Sequence, residues 1–262
     1  MILRRAGSRP CNLGAWVNGL LPLLLSPFIG SFLGVVIRRL PLGLPITLAR
    51  SACEGCGRAL PARDLVPLLS FAALRGRCRF CRAGIARFHV WIELAAIAVA
   101  GWAMLRTADL ELLWANCALG WSLLALAWID WDHLRLPDVI TLPLVVLGLL
   151  ATWWLEPDVL TDHALAAAAG YLAFRGVAWA YLVLRRREGL GQGDAKLLAA
   201  AGAWVGLAGL PTVVLGAAVI ALAATLAQRL FQRHAADTPI PLGPYLALAT
   251  WLVRLYGAAE LV

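Results

Sequence analysis

The chain has 262 residues, of which 61% are hydrophobic and only 15% are charged, and its formal net charge is +8. Soluble globular domains are usually about 45–50% apolar and about 25% charged, so this composition excludes an ordinary water-soluble domain. We expect an all-α membrane protein that crosses the bilayer several times. The 12 tryptophans fit anchoring at two membrane–water interfaces. Basic residues cluster in connections between apolar stretches, which favours membrane orientation over nucleic-acid binding.

Eight apolar stretches are candidates for membrane helices, since a span needs about 20 mostly apolar residues. In chain order they are 13–37, 89–105, 110–129, 138–155, 164–184, 196–210, 211–226 and 241–256. The first is interpreted as a retained span rather than as a cleaved signal peptide. The sixth and seventh are short and meet around Gly209 and Pro211, which predicts a tight helical hairpin there.

The distribution of basic residues predicts the orientation, because these residues concentrate in cytoplasmic connections. The segment 38–88 carries ten arginines, whereas the connection 156–162 has three acids and no base. We therefore expect segment 38–88 in the cytoplasm and both termini in the periplasm. The predicted organisation is a first transmembrane helix within 1–37, a cytoplasmic zinc-binding domain in 38–88, and a seven-helix membrane domain in 89–262.

Four of the six cysteines lie in the segment 38–88 and form two CxxC pairs: Cys53, Cys56, Cys78 and Cys81. Two such pairs predict a tetrahedral zinc site, because each pair supplies two thiolate corners from one tight turn. Two disulfides are the alternative, but a cytoplasmic loop is reducing, which favours zinc. A closed four-cysteine shell indicates a structural ion, which would supply the folding energy that so small a segment lacks. The isolated Cys11 and Cys117 are interpreted as packing residues.

Acidic residues stand at two unusual places, both at predicted cytoplasmic ends of membrane helices. The string IDWDHLRLPD contains Asp130, Asp132 and Asp138, and the string GQGD ends at Asp194. One interpretation is helix capping, with Asp138 as the N-cap of the fourth helix and Asp194 as a cap of the sixth. The other is a catalytic pair. Two carboxyl groups at one site hold a single proton between them, as in aspartic proteases, and Asp130 and Asp194 could form such a pair.

The residues around Asp194 fit the second interpretation. Gly191 and Gly193 have no side chains, so an extended substrate strand could run close beside Asp194. Lys196, the only lysine of the chain, would tune the acid or hold a substrate carboxylate. The alternative without a functional role is that Lys196 is a solvated side chain beside a capping aspartate.

In their order along the chain, these motifs resemble the bacterial type IV prepilin peptidase family, the GxGD-type aspartic proteases. The similar strings are GSFLGVVIRRLP, the two cysteine pairs, ARFHVWIE, IDWDHLRLPD, GQGDAKLLAAAGAWVG and PIPLGPY. By this resemblance, Asp130 and Asp194 are the catalytic residues. The chain departs from the family at Gly34, where Asn is usual, at Arg82, where Gly is common, and at Leu242, where Phe is usual.

The resemblance implies an endopeptidase of the bacterial inner membrane that removes the leader of type IV prepilins or type II secretion pseudopilins after a glycine, at the cytoplasmic face. It also implies N-methylation of the new N-terminus with S-adenosylmethionine, an activity associated with the N-terminal cytoplasmic domain. Glu93 is a candidate contact for the substrate amine, with snorkelling or capping as the alternative.

Two other classes of function stay open at this point. The first is a transporter or channel whose acids at the membrane edge bind cations or protons. Such a path needs ionisable residues within the spans, and Arg175 is the clear example. The second is a zinc-ribbon membrane scaffold without catalysis.

Overall fold

The computed structural model describes residues 13–46, 51–53, 55–61, 64, 66–187, 191–232 and 241–258. Their helices are α1 (Leu13–Arg39), α2 (Leu69–Ala73), α3 (Phe88–Arg106), α4 (Leu110–His133), α5 (Asp138–Leu155), α6 (Leu160–Arg185), α7 (Gln192–Gln232) and α8 (Gly243–Tyr256). All but α2 and α8 are long and apolar enough to cross a membrane. Among the described residues the only β-pairing is two isolated bridges. The prediction of an all-α membrane fold is confirmed. Cys11 lies outside the described residues.

The helix α7 reverses its direction at Gly206. A straight helix of its 41 residues would measure roughly 60 Å, about twice the hydrocarbon core of a bilayer. Gly206 has a non-helical φ of 71° and ψ of −178°. A Cβ atom on Gly209 would lie 2.8 Å from the Cβ atom of Val205, whereas residues four apart on one helix are about 5–6 Å apart. The hairpin predicted around Gly209 and Pro211 therefore turns at Gly206.

Side chains from neighbouring helices bond the backbone groups that this break releases. The N–H of Leu207 donates to the Asp162 carboxylate at 3.0 Å, and Arg254 donates to the carbonyl oxygen of Trp204 at 3.0 Å. Within a bilayer no water is available, and each unbonded backbone group costs several kcal/mol. These two contacts therefore make the break compatible with a position inside the membrane domain.

Beyond the break, the second half of α7 runs antiparallel to α8. Position 209 approaches Val253, and position 216 approaches Ala249. Residue numbers thus rise along α7 while those of its contacts in α8 fall, as in an antiparallel pair. The start of α8 consequently lies at the same end of the bundle as the start of α7.

The end of the bundle where α1 and α4 finish and α3 begins is called the loop end below, because segment 40–87 emerges there. The guanidinium of Arg38 lies 4.9 Å from the centre of the Phe88 ring, and the rings of Phe88 and Trp128 are 5.1 Å apart. These contacts join the last turns of α1 and α4 to the first turn of α3. The described part of segment 40–87, including its cysteines, is therefore attached to the loop end.

We expect Gly206→Ala to lower the stability of the protein by about 1–3 kcal/mol, because position 206 has a positive φ that side-chain-bearing residues adopt only under strain. Its Cβ would also lie 2.5 Å from an Asp162 carboxylate oxygen. The measurement is thermal unfolding in detergent micelles. Gly216→Ala is the control, because its Cβ makes an ordinary 3.5 Å contact with Ala249. Equal stability of the two variants would contradict a turn at Gly206.

Candidate active site

Asp130 lies in the last turn of α4 with its side chain turned into the protein. The residue is only 5% exposed, and its Oδ2 atom accepts a hydrogen bond of 2.9 Å from the backbone N–H of Gly243. The helix stops just beyond it because Leu134 adopts a left-handed φ of 52°. The next acid along the helix, Asp132, is exposed. The structure thus separates two acids that stand two positions apart in the sequence.

Asp194 is the third residue of α7 and is half-buried. Its carboxyl lies beside Gly191, the residue that precedes the helix, because a Cβ atom on Gly191 would be 3.1 Å from Oδ2 of Asp194. An acidic side chain in the first turn of a helix interacts favourably with the helix dipole. Asp194 thus stands inside the first turn of α7 rather than at the N-cap position.

Asp130 and Asp194 line the same cavity, which has a volume of about 510 Å³. The walls come from four segments: Leu40 and Pro41 after α1, Ile129 and Asp130 in α4, residues 134–138, and the string 191–194. Pockets of about 300–1,000 Å³ are the usual size for binding a ligand. The cavity lies at the loop end, so the two acids face the side of the bundle that carries segment 40–87.

The two glycines of the GQGD string are tightly placed. A Cβ atom on Gly193 would lie 2.8 Å from the Cβ atom of Leu136, and one on Gly191 would lie 3.1 Å from Oδ2 of Asp194. Glycine at 193 therefore allows α7 to pack against the connection 134–138. Glycine at 191 leaves room for the Asp194 carboxyl. That the glycines also admit a substrate strand stays a prediction.

Lys196 forms an ion pair with Asp138, with 2.6 Å between Nζ and Oδ1. The prediction that Asp138 is the N-cap of its helix is wrong. Asp138 is the first helical residue of α5, the N-cap is Pro137, and no side chain caps the helix. The carboxylate is instead drawn to the ammonium group on α7. The pair connects the first turns of α5 and α7 beside the cavity.

The four cysteines of the CxxC pairs bring their sulfur atoms within 4.8 Å of one another. The Sγ atoms of Cys53 and Cys81 are 3.7 Å apart. A tetrahedral zinc site with Zn–S bonds of about 2.3 Å requires sulfur atoms about 3.8 Å apart. All four described thiols are free, and none is in a disulfide. The donor set therefore fits a metal ion such as zinc and does not support the two-disulfide alternative.

The two pairs have the same local structure. In each, the first cysteine N–H donates to the carbonyl of the residue five positions later, from Cys53 to Arg58 and from Cys78 to Ala83. In each, the residue after the second cysteine is left-handed, with φ of 69° at Gly57 and 63° at Arg82. The usual glycine at position 82 in the family thus has a conformational reason.

The thiols of the cluster differ in acidity. Backbone N–H groups of Cys81 and Phe80 lower the pKa of Cys78 to about 7, whereas burial and the neighbouring thiols raise the pKa of Cys81 to about 11. The thiolate is the form that binds metal.

Glu93 connects the membrane helices to segment 40–87. It is 6% exposed, and its Oε2 atom accepts the N–H of Leu68 at 2.8 Å. Leu68 has an unusual φ of 56° and immediately precedes α2. Glu93 is therefore buried and does not snorkel to the surface. Contact with a substrate amine stays a prediction.

Sequence reasoning did not assign a role to Gly243, although the string PIPLGPY that contains it was part of the resemblance. The feature that could have indicated Gly243 is a glycine at the predicted start of the last helix. The Lys196–Asp138 pair was also missed, because both residues were assigned to other partners.

Comparisons with known proteins agree along nearly the whole chain. Residues 117–226 match the type IV leader peptidase family, and residues 24–107 match the bacterial peptidase A24 N-terminal domain. The prepilin leader peptidase/N-methyltransferase of Aeromonas hydrophila is 38% identical, with 92% of both chains covered. The protein of the same name from Pseudomonas aeruginosa is 38% identical, covering 90% of this chain and 89% of its own. That of Burkholderia pseudomallei strain K96243 is 40% identical, covering 90% and 84%. No solved structure matches the chain.

We expect purified protein to carry about one zinc ion per chain, because the four sulfur atoms fit one tetrahedral ion. Cys78→Ser removes one corner and should release most of the metal. The matched control is Cys117→Ala, since Cys117 is buried in α4 away from the cluster and should retain zinc. Metal analysis by mass spectrometry measures both. Wild-type protein without metal, or equal retention by the two variants, would contradict the site.

The Lys196–Asp138 pair should stabilise the protein only modestly, because the Asp138 side chain is 54% exposed and exposed pairs contribute about 0.2–1 kcal/mol. A double-mutant cycle with Lys196→Met and Asp138→Asn, followed by thermal unfolding in micelles, measures the interaction free energy of the two side chains. Methionine keeps most of the packing of the lysine stem. Strictly additive losses would show that the two residues do not interact.

Proposed function

Because the chain belongs to the type IV leader peptidase family, we propose that it cleaves the leader peptide from prepilins and N-methylates the new N-terminus. The names of the relatives include both activities. The observation that best supports the peptidase half is the meeting of Asp130 and Asp194 at one cavity. The chain is a multi-pass protein of the bacterial inner membrane.

The acid–base chemistry of cleavage is assigned to Asp130 and Asp194. Two carboxyl groups that share a site do not both ionise easily, so the pair holds one proton. The ionised carboxylate takes a proton from a water molecule, whose oxygen attacks the carbonyl carbon of the scissile bond. The protonated carboxyl hydrogen-bonds the carbonyl oxygen. When the tetrahedral intermediate collapses, the amine leaves with a proton from the pair.

The substrate is proposed to enter from the loop end as an extended segment. The helical part of a prepilin would lie in the bilayer, and its basic leader would stay at an anionic membrane surface. Gly191 lines the cavity just before α7 and has no side chain, so it would leave room for an extended segment beside Asp194. A type II secretion pseudopilin presents the same chemistry. This assignment requires the loop end to be cytoplasmic and both termini to be periplasmic.

The methylation half is assigned to the same end of the bundle. Cleavage releases an amine at the cavity, and S-adenosylmethionine supplies an activated methyl group when it is bound. The four-cysteine cluster is proposed to hold zinc that orders segment 40–87, and Glu93 fastens that segment to α3 through Leu68. The zinc has a structural role here, because four thiolates leave no coordination position open for a reactant.

We expect Asp130→Asn and Asp194→Asn each to slow prepilin cleavage by about 10²–10⁴-fold, the usual contribution of general acid–base catalysis. Mass spectrometry of a prepilin incubated with the purified variant, with and without methyl donor, measures cleavage and methylation separately. Methylation of a pre-cleaved pilin should persist in both variants and shows that they are folded.

The matched control for this experiment is Asp132→Asn, because Asp132 is exposed. The rate of prepilin cleavage by this variant should stay within about twofold of the wild-type rate. Full cleavage by the Asp130 or the Asp194 variant would remove that residue from the mechanism. Loss of cleavage in the Asp132 variant alone would reassign the reaction to the exposed acid.

A further inference from the structure

The first turn of α8 reaches the candidate catalytic pair. The N–H of Gly243 donates to Oδ2 of Asp130 at 2.9 Å, and the contact is buried and joins residues 113 apart in sequence. Tyr245 and Leu246, in the same turn, are buried in the core, so this part of α8 is held firmly. Gly243 belongs to neither of the two strings that carry the aspartates.

Position 243 has no space for a side chain. An ideal Cβ atom there would lie 2.6 Å from Oδ2, 2.9 Å from Cγ and 3.1 Å from Cβ of Asp130. An added side chain would therefore displace the Asp130 side chain or move α8 away from α4. The backbone itself does not require glycine, because Gly243 is not among the residues with positive φ. Glycine is therefore needed at 243 for the approach of Asp130 and not for the turn of the chain.

The N–H of Gly243 also has no partner within its own helix. The first amide groups of an α-helix lack an intrahelical acceptor, and the aligned peptide dipoles favour a carboxylate at that end. The Oδ2 atom of Asp130 supplies both the missing acceptor and a carboxylate at the start of the helix. This bond leaves Oδ1 of Asp130 free of Gly243, so Oδ1 can take a proton from water.

We propose that Gly243 is a positioning residue for cleavage, which holds the Asp130 carboxyl in its reactive orientation through its N–H and through its lack of a side chain. The proposal rests on the proposed peptidase function. It adds α8 as a third structural contributor to the site, beside α4 and α7.

The test is Gly243→Ala, with prepilin cleavage measured over a range of substrate concentrations. We expect kcat to fall about 10²-fold, because a displacement of about 1 Å in a reacting group has an effect of that size. The KM for the prepilin should stay within about twofold, since the alanine methyl points at Asp130. Methylation of a pre-cleaved pilin should persist. Gly216→Ala, whose Cβ makes only a 3.5 Å contact with Ala249, is the control and should cleave normally.

Unchanged kcat in Gly243→Ala would overturn the proposal, and so would a raised KM with normal kcat or a loss of both activities together. A wild-type protein that cleaves no prepilin would instead defeat the proposed function, which distinguishes the two failures.

Discussion

The reversal of α7 at Gly206 determines what can meet at the loop end of the bundle. The first half of α7 leaves that end with Asp194 in its first turn, and the second half returns, so that α8 starts beside Asp130. A break of this kind is tolerated in lipid only where the released backbone groups are bonded within the protein. Asp162 and Arg254 provide those bonds at the far end. Without the reversal, Asp194 and Gly243 could not both lie next to Asp130.

The loop end consequently combines two kinds of chemistry. The cavity has an acid from α4 and an acid from α7, which share a proton in the proposed cleavage. The cysteine cluster stands on the same side, and its segment is tied to α3 by the Glu93 carboxylate at Leu68. In the proposed function, a product released at the cavity would lie at the same end of the bundle as segment 40–87, to which methyl transfer is assigned. The scaffold alternative gives no reason for two buried or half-buried acids at one cavity, and the transporter alternative does not account for the match to the type IV leader peptidase family.

Much of this could be predicted from local sequence patterns. Apolar stretches predicted the helices, the spacing of Cys53 to Cys81 predicted the cluster, and the strings around Asp130 and Asp194 predicted the acids. Patterns of this kind depend on neighbouring residues. The prediction for Asp138 failed because its partner, Lys196, lies 58 positions away, and no local rule ranks that partner above a helix cap. The turn at Gly206 was misplaced because Pro211 is the stronger local signal, whereas the actual turn depends on Asp162 and Arg254.

The central claim is that Asp130 and Asp194 act on one bound peptide. The most direct measurement is an experimental structure of the protein with a peptide inhibitor whose hydroxyl group imitates the tetrahedral intermediate. The account predicts that carboxyl oxygens of both aspartates lie within hydrogen-bonding distance of that hydroxyl, about 2.5–3.0 Å. A structure in which the hydroxyl contacts only one of the two, with the other facing lipid or a separate pocket, would contradict it.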